Sequence, residues 1–183
     1  VTLDAVRGHL RGHFGVQPDS ASVTFLGIEP IEVLRFATGT SVHYVSLGCS
    51  RDPMTDPTQT LADPMRGPRA EVVLRLRNPG SVTGLARSLA IVAATPAVEG
   101  TVLVADALID LGSPLWAGTS FTAVLLGRSD IPDLTLQPPR DPVRFLSATP
   151  ITATEAAWVR LKGAEAMRQT WQQDGVGDLR EQT

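Results

Sequence analysis

Ser41-Val42-His43-Tyr44-Val45-Ser46-Leu47-Gly48-Cys49-Ser50 is the stretch on which the reading of the fold turns. Val42, Tyr44 and Ser46 fall on one face and His43, Val45 and Leu47 on the other, the two-residue period of a strand. The stretch closes in Gly-Cys-Ser and runs straight into a Pro-rich segment, so it reads as a central strand that delivers a polar corner. Residues 22–27 and 31–38, just before it, are rich in Val, Ile, Leu and Phe and read as strands. Gly39-Thr40 joins the second of these to it at two-residue hairpin spacing.

Working outward, Leu3, Val6, Leu10 and Phe14 are spaced by three and four and predict a short amphipathic helix that Gly15 closes. On the other side, Pro53, Pro57, Pro64 and Pro68 with Asp52, Asp56 and Asp63 make residues 51–68 a long loop, of a length that is often functional. Residues 70–77 return to alternation, with Val72, Leu74 and Leu76 on one face and Glu71, Val73, Arg75 and Arg77 on the other. Glu71 with Arg75 and Arg77 is expected as a solvated, self-neutralising strand face. Leu85, Leu89 and Val92 predict a helix over 82–94. Residues 102–109, 121–126 and 143–149 read as strands, with a turn over 112–118 built around Trp116. Thr152 and Glu155 have capping-box spacing, and Ala157, Trp158, Leu161, Ala164, Met167 and Trp171 predict one apolar face of a C-terminal helix, with both Trp in the core. The polar last dozen residues are expected to fray. The order implies an α+β fold, a mixed or mainly antiparallel sheet flanked by helices, as one domain over 1–174 with a polar tail over 175–183.

Composition narrows the function. The 183 residues are 43% hydrophobic and 19% charged, as in ordinary globular domains. The net charge of −3, without any basic cluster, argues against a nucleic-acid partner. Lys162 is the only Lys among 16 basic residues, a skew that fits a GC-rich coding bias and hence a bacterial source. Cys49 is the only cysteine, which rules out an intramolecular disulfide. No stretch approaches the ~20 apolar residues of a membrane span, and the N-terminus lacks signal-peptide regions. A cytoplasmic protein is expected, its true start upstream or trimmed because residue 1 is not Met.

Candidate chemistry is sparse. His9 and His13 have a spacing that can place two imidazoles on a metal, but Leu10 stands where a zinc protease needs Glu. His43 and Cys49 are ~20 Å apart along a strand, beyond nucleophile–base reach; a buried or half-buried thiol is the expectation for Cys49. Ser46, Ser50 and Asp52 lack the elbow motif of a hydrolase. The glycines from Gly8 to Gly15 fall within a helical pattern and lack the Lys-Ser/Thr ending of a phosphate loop. Trp116 is either an exposed anchor, of the kind enriched at interfaces, or a plug at the sheet's end.

The pattern H-Y-x-S-x-G-x-S over residues 43–50 resembles the suppressor of fused family. Glu29-Pro30-Ile31-Glu32-Val33-Leu34 resembles that family's strand before the hairpin. Arg69-Ala70-Glu71-Val72-Val73-Leu74-Arg75-Leu76 is similar to its next strand. Gly84-Leu85-Ala86-Arg87 resembles the start of its following helix, and Val143-Arg144-Phe145-Leu146, Thr149-Pro150-Ile151-Thr152 and Glu155 its late strand and last helix. These segments keep one order from about residue 9 to residue 171. The resemblance implies a compact domain used to grip protein partners. Animal members sequester Gli-type transcription factors, whose peptide is clamped between two domains. Bacterial members are mostly single domains, many of them regarded as immunity proteins against toxins. Here the aromatic residue that helps hold the peptide in animal members is Ser88. The acidic residue expected further on falls at Gly100, beside Glu99. A second, clamping domain is not expected in 183 residues, so Gli binding is not expected either.

The expected function is therefore a non-enzymatic protein-binding module, plausibly a bacterial immunity protein that neutralises a toxin. Its partner contacts are sought at Glu99, Trp116, Arg51, Asp52, Asp56 and Asp63, at an exposed sheet edge, or both. No cofactor, metal or membrane contact is expected. The alternatives are a hydrolase or metal-dependent enzyme using His9, His13 and Cys49, and a homodimeric structural subunit.

Overall fold

A computed structural model describes residues 2–55, 58, 63–77, 79–175 and 180–181. Helix α1 (Thr2–Phe14) buries Val6 and Leu10, as its spacing predicts. Strands β1 (Asp19–Val23), β2 (Ile31–Thr38) and β3 (Ser41–Leu47) follow, and a 3-10 turn (Cys49–Arg51) leaves β3. Then come β4 (Arg69–Arg77), α2 (Leu85–Glu99), β5 (Leu108–Asp110) and β6 (Phe121–Arg128). The chain continues with β7 (Val143–Thr152), α3 (Ala153–Lys162), α4 (Ala164–Gln173) and β8 (Arg180–Glu181).

The sheet order is β1-β2-β3-β4-β7-β6-β5. Every neighbour pair on this path is antiparallel except β4–β7, where Val73 lies beside Ser147 in parallel register. This is the expected mixed sheet in an α+β fold. Gly39-Thr40 closes the expected hairpin, with Thr38 opposite Ser41. Within the polar stretch after residue 174, β8 runs parallel to the end of β4, with Leu76 beside Arg180 and Arg77 beside Glu181.

Alternation on β4 divides the core. Val72, Leu74 and Leu76 pack with Leu85, Leu89 and Val92 of α2 on one face. On the other face Val73 joins Val45, Phe145 and α1, while Leu125 and Ile151 pack under α3 and α4. Both faces of the central strands are therefore covered.

Several expectations need correction. β1 occupies residues 19–23 rather than 22–27, because the pairing ends at Val23↔Ile31 and the chain turns through Gly27, at φ 84°. Residues 102–107 are not a strand; they pack irregularly against the α2-side core, and only Leu108–Asp110 pairs with β6. Helix α2 runs on to Glu99 with Pro96 inside it, and the left-handed Gly100 caps it by donating to Pro96 O. The single C-terminal helix is two helices, broken at Gly163, at φ 93°. The buried face is Ala156, Val159, Ala164 and Met167, leaving Leu161 76% and Trp158 40% exposed, so Trp158 is not a core residue. Trp116 is no exposed anchor. It is 1% exposed, edge-on to Phe121 at 5.8 Å, and Ala117 N donates to Thr83 O to seat its turn against the start of α2.

Candidate partner-binding groove

The polar residues of the 43–50 pattern converge on one buried carboxylate. β4 carries Glu71 on its α1 side, fully buried, where the sequence reading places a solvated charge. The carboxylate accepts from Ser46 Oγ at 2.7 Å, Gly48 N at 3.0 Å, Cys49 N at 3.2 Å, Ser50 N at 2.8 Å and Ser50 Oγ. Burial pushes the Glu71 carboxyl up, and the donors of Ser50, Gly48 and Ser46 pull against that. Ser46 Oγ also accepts from Val72 N at 3.0 Å, so it bridges β3 and β4. The bend favours a glycine. Gly48 has φ 152°, and a Cβ there would lie 2.8 Å from Ile31 Cδ1. Arg69, also buried, donates through Nη1 to Ser50 O at 2.9 Å and Arg51 O at 3.0 Å. Ser46 and Ser50, both fully buried, are therefore structural donors, not nucleophiles.

This pinned bend floors a groove of about 410 Å³. Gly27 and Ile28 of the β1–β2 turn form one wall, Pro96 and Ala97 of α2 another, and Arg51 and Asp52 a third. Leu26 and Val98 each adjoin a wall residue in sequence and are 104% and 62% exposed. Cys49 lines the groove half-buried. Burial, and after it the Glu71 charge, pushes its thiol well above the ordinary range, the opposite of an activated nucleophile.

The structure brings some of the expected contact residues together and separates others. Arg51 and Asp52 share the groove, and Arg51 Nη2 reaches Pro30 O at 3.4 Å. Glu99 is exposed at the end of α2, next to Val98. Asp63 is occupied by its own turn. Its Oδ1 accepts from Met65 N at 2.8 Å and Arg66 N at 3.2 Å, which lowers its pKa. Asp56 lies outside the described residues. Ser88 donates to Leu115 O at 2.7 Å, a local role that leaves no aromatic contact there.

The residues of the enzyme alternative do not meet. His9 stacks on Phe145 at 5.4 Å, with Nε2 2.7 Å from Pro132 O. His13 and His43 flank Phe14, at 4.8 and 4.6 Å between ring centres, a pairing that sequence spacing does not reveal. Among the described residues no group of three or more His, Cys, Asp and Glu side chains converges as metal ligands. No helix among them is long and apolar enough to cross a membrane. Sequence reasoning missed Leu26, Val98 and Glu71. The first two sit in turn-like or helix-end contexts with no periodic signal; Glu71 had one, Ser46, Gly48 and Ser50 at every second position from the end of β3 into the bend.

No curated protein matches the chain. Among solved structures, a protein described as a suppressor of fused homolog of Neisseria gonorrhoeae is 18% identical, with a TM-score of 0.67 over 97% of this chain and 92% of that one. A chain of the Sufu–Fu complex is 16% identical, with a TM-score of 0.66 over 93% of this chain and 84% of that one. Drosophila Suppressor of Fused is 16% identical, with a TM-score of 0.63; 93% of this chain covers 46% of that protein. Such identities establish the fold. The family model for suppressor of fused protein matches residues 27–181, which contain β2 through β8 and both segments of the Glu71 cage, and the chain belongs to the suppressor of fused family.

Proposed function

We propose that this chain is a non-enzymatic protein-binding module that takes its partner at the groove between the β1–β2 turn, the 48–52 bend and the end of α2. The observation that carries the reading is the groove itself, whose floor is held by Glu71 and Arg69, with exposed Leu26 and Val98 next in sequence to residues that line it. A pre-organised floor lowers the cost of binding, because little ordering remains to be done. One structural neighbour is described as a complex with a protein, Fu, which supports partner binding as the use of this fold.

The finer reading is a bacterial immunity protein acting in the cytoplasm. The net charge of −3 is compatible with a basic toxin domain. Two experiments separate the levels. Immobilised wild-type chain and the Leu26→Asp and Val98→Asp variants are compared for capture of host proteins. A specific partner is expected to be lost about tenfold or more in both variants; equal capture by all three overturns the groove. Co-expression with a toxin encoded beside its gene is expected to restore growth. Absence of rescue removes the immunity reading and leaves the binding module standing.

A further inference from the structure

A second cavity, of about 690 Å³, opens on the sheet face turned away from α2, between the end of α1 and α4. Its floor explains its existence. Val73, Ser147 and Gly127 are register neighbours across β4, β7 and β6, and Thr149 follows on β7. These side chains are too small to fill the gap between the helices. A Cβ on Gly127 would meet Arg168 Nη2 at 3.1 Å and Ser147 Oγ at 3.2 Å, so the glycine makes room for the Arg168 guanidinium across the floor. Arg168 is itself held, by Asp106 and by Leu126 O at 3.0 Å.

Two other guanidinium groups are not held in this way. Arg75, half-buried and opposite His43 on β3, lines the cavity. Arg128, exposed at the end of β6, lines it too. Among the described residues neither has a carboxylate within 4.0 Å. A guanidinium in a cleft is best satisfied by an oxyanion, which matches its fork of donors. The hydroxyls of Ser147 and Thr149 add donors at the floor. Exposed Asp130 and Glu165 also line the cavity and would accept from hydroxyl groups of a ligand. The volume lies in the range of small-molecule sites.

We propose that this cavity binds a small polyhydroxylated organic anion, its carboxylate or phosphate at Arg75 and Arg128 and its hydroxyls toward Asp130 and Glu165. The site is separate from the partner groove and does not depend on it.

The imidazoles provide the readout, because His13 and His43 line the cavity while His9 lies elsewhere, on Phe145. In the full chain, gluconate and glucose 6-phosphate are titrated at neutral pH while the three His ring signals are followed by NMR. Saturable shifts of His43 and His13, with His9 unmoved, are expected from at least one anion. Response to gluconate alone assigns a carboxylate, to glucose 6-phosphate alone a phosphate. Sorbitol, or sodium chloride at matched ionic strength, is expected to give none. Arg75→Gln is expected to weaken binding about tenfold, and Arg128→Gln gives the second reading if the first variant does not fold. A bound anion also raises the His43 midpoint. That midpoint is held down by burial, Arg75 and His13 and opposed by a backbone hydrogen bond at Phe36 and by Asp130, with Glu165 and Arg168 of α4 facing the same space. Absence of a saturable response to both anions, an equal response to sodium chloride, or undiminished binding in the folded arginine variants overturns the proposal.

Discussion

Glu71 shows how one residue can organise a pattern spread over a strand and a bend. Its carboxylate takes three backbone N–H groups and two hydroxyls, so removing it strands several buried donors at once. Glu71→Ala is expected to cost about 3–5 kcal/mol in urea unfolding, because an unpaired buried donor loses its full desolvation cost. Ser50→Ala removes one hydroxyl and leaves the backbone donors paired, so about 1–2 kcal/mol is expected. Equal losses in the two variants would contradict the cage. Gly48 supplies an independent check. Gly48→Ala places a methyl against Ile31 Cδ1, in a conformation disfavoured for L residues, and is expected to cost about 1–3 kcal/mol. Ile31→Val deletes that Cδ1, so the double variant should recover part of the loss; strictly additive losses would show that the contact is not the cause.

At the scale of elements, the last two helices depend on one side chain. Thr152 Oγ1 accepts from Glu155 N at 3.1 Å, and Glu155 Oε1 accepts from Thr152 N at 3.0 Å, the capping box expected from spacing. Glu155 Oε2 also accepts from Trp171 Nε1 at 2.7 Å, tying α3 to α4 across the Gly163 break. Thr152→Ala is expected to cost about 1 kcal/mol, and Glu155→Ala more, because it also removes the carboxylate to which the Trp171 indole N–H donates. A smaller loss for Glu155→Ala, measured by the same unfolding curves, would mean that the tie carries nothing. The contrast also shows where the sequence is legible. The capping box, α1 and the β2–β3 hairpin are local, set by residues within one or two turns of each other. The helix break was hidden because the apolar spacing from Ala157 to Trp171 continues through Gly163, whereas the buried face follows Ala156 and Val159. Of the site, the 48–52 bend with the exposed Asp52 could be read from turn chemistry, whereas Glu99 is a candidate only through the family resemblance. The groove could not be read, since Gly27 and Ile28 of a turn and Pro96 and Ala97 of a helix line one surface only when these segments, far apart in sequence, meet. Glu71 misled for a related reason: alternation assigns a face but does not reveal that α1 and the bend cover it.

For the whole molecule, the decisive arrangement is a sheet covered on one face by α2 and on the other by α1 and the α3–α4 pair. His43 lies where that second cover is thin, beside Phe14 and opposite Arg75. Burial first, then the charges of Arg75 and His13, hold its pKa down from 6.5 to about 4. The unfolded chain exposes an ordinary imidazole. As pH falls below 6.5 the unfolded state takes up a proton that the folded state refuses, so stability is lost between pH 6.5 and about 4 and the contribution is flat outside that window. Full burial would make this about 3 kcal/mol, but His43 is half in solvent, and screening brings the expectation nearer about 1 kcal/mol. Other carboxylates also titrate at the acid end of this window, so the wild-type slope alone does not isolate the imidazole. His43→Gln cannot titrate and keeps every other acid in place. The difference in urea unfolding free energy between wild type and this variant is therefore expected to change by about 1 kcal/mol from neutral to mildly acidic pH, in favour of the variant at acid. A difference that stays constant with pH would mean that His43 charges as easily in the fold as in the open chain, and that the gap between α1 and α4 is wetter than its lining implies.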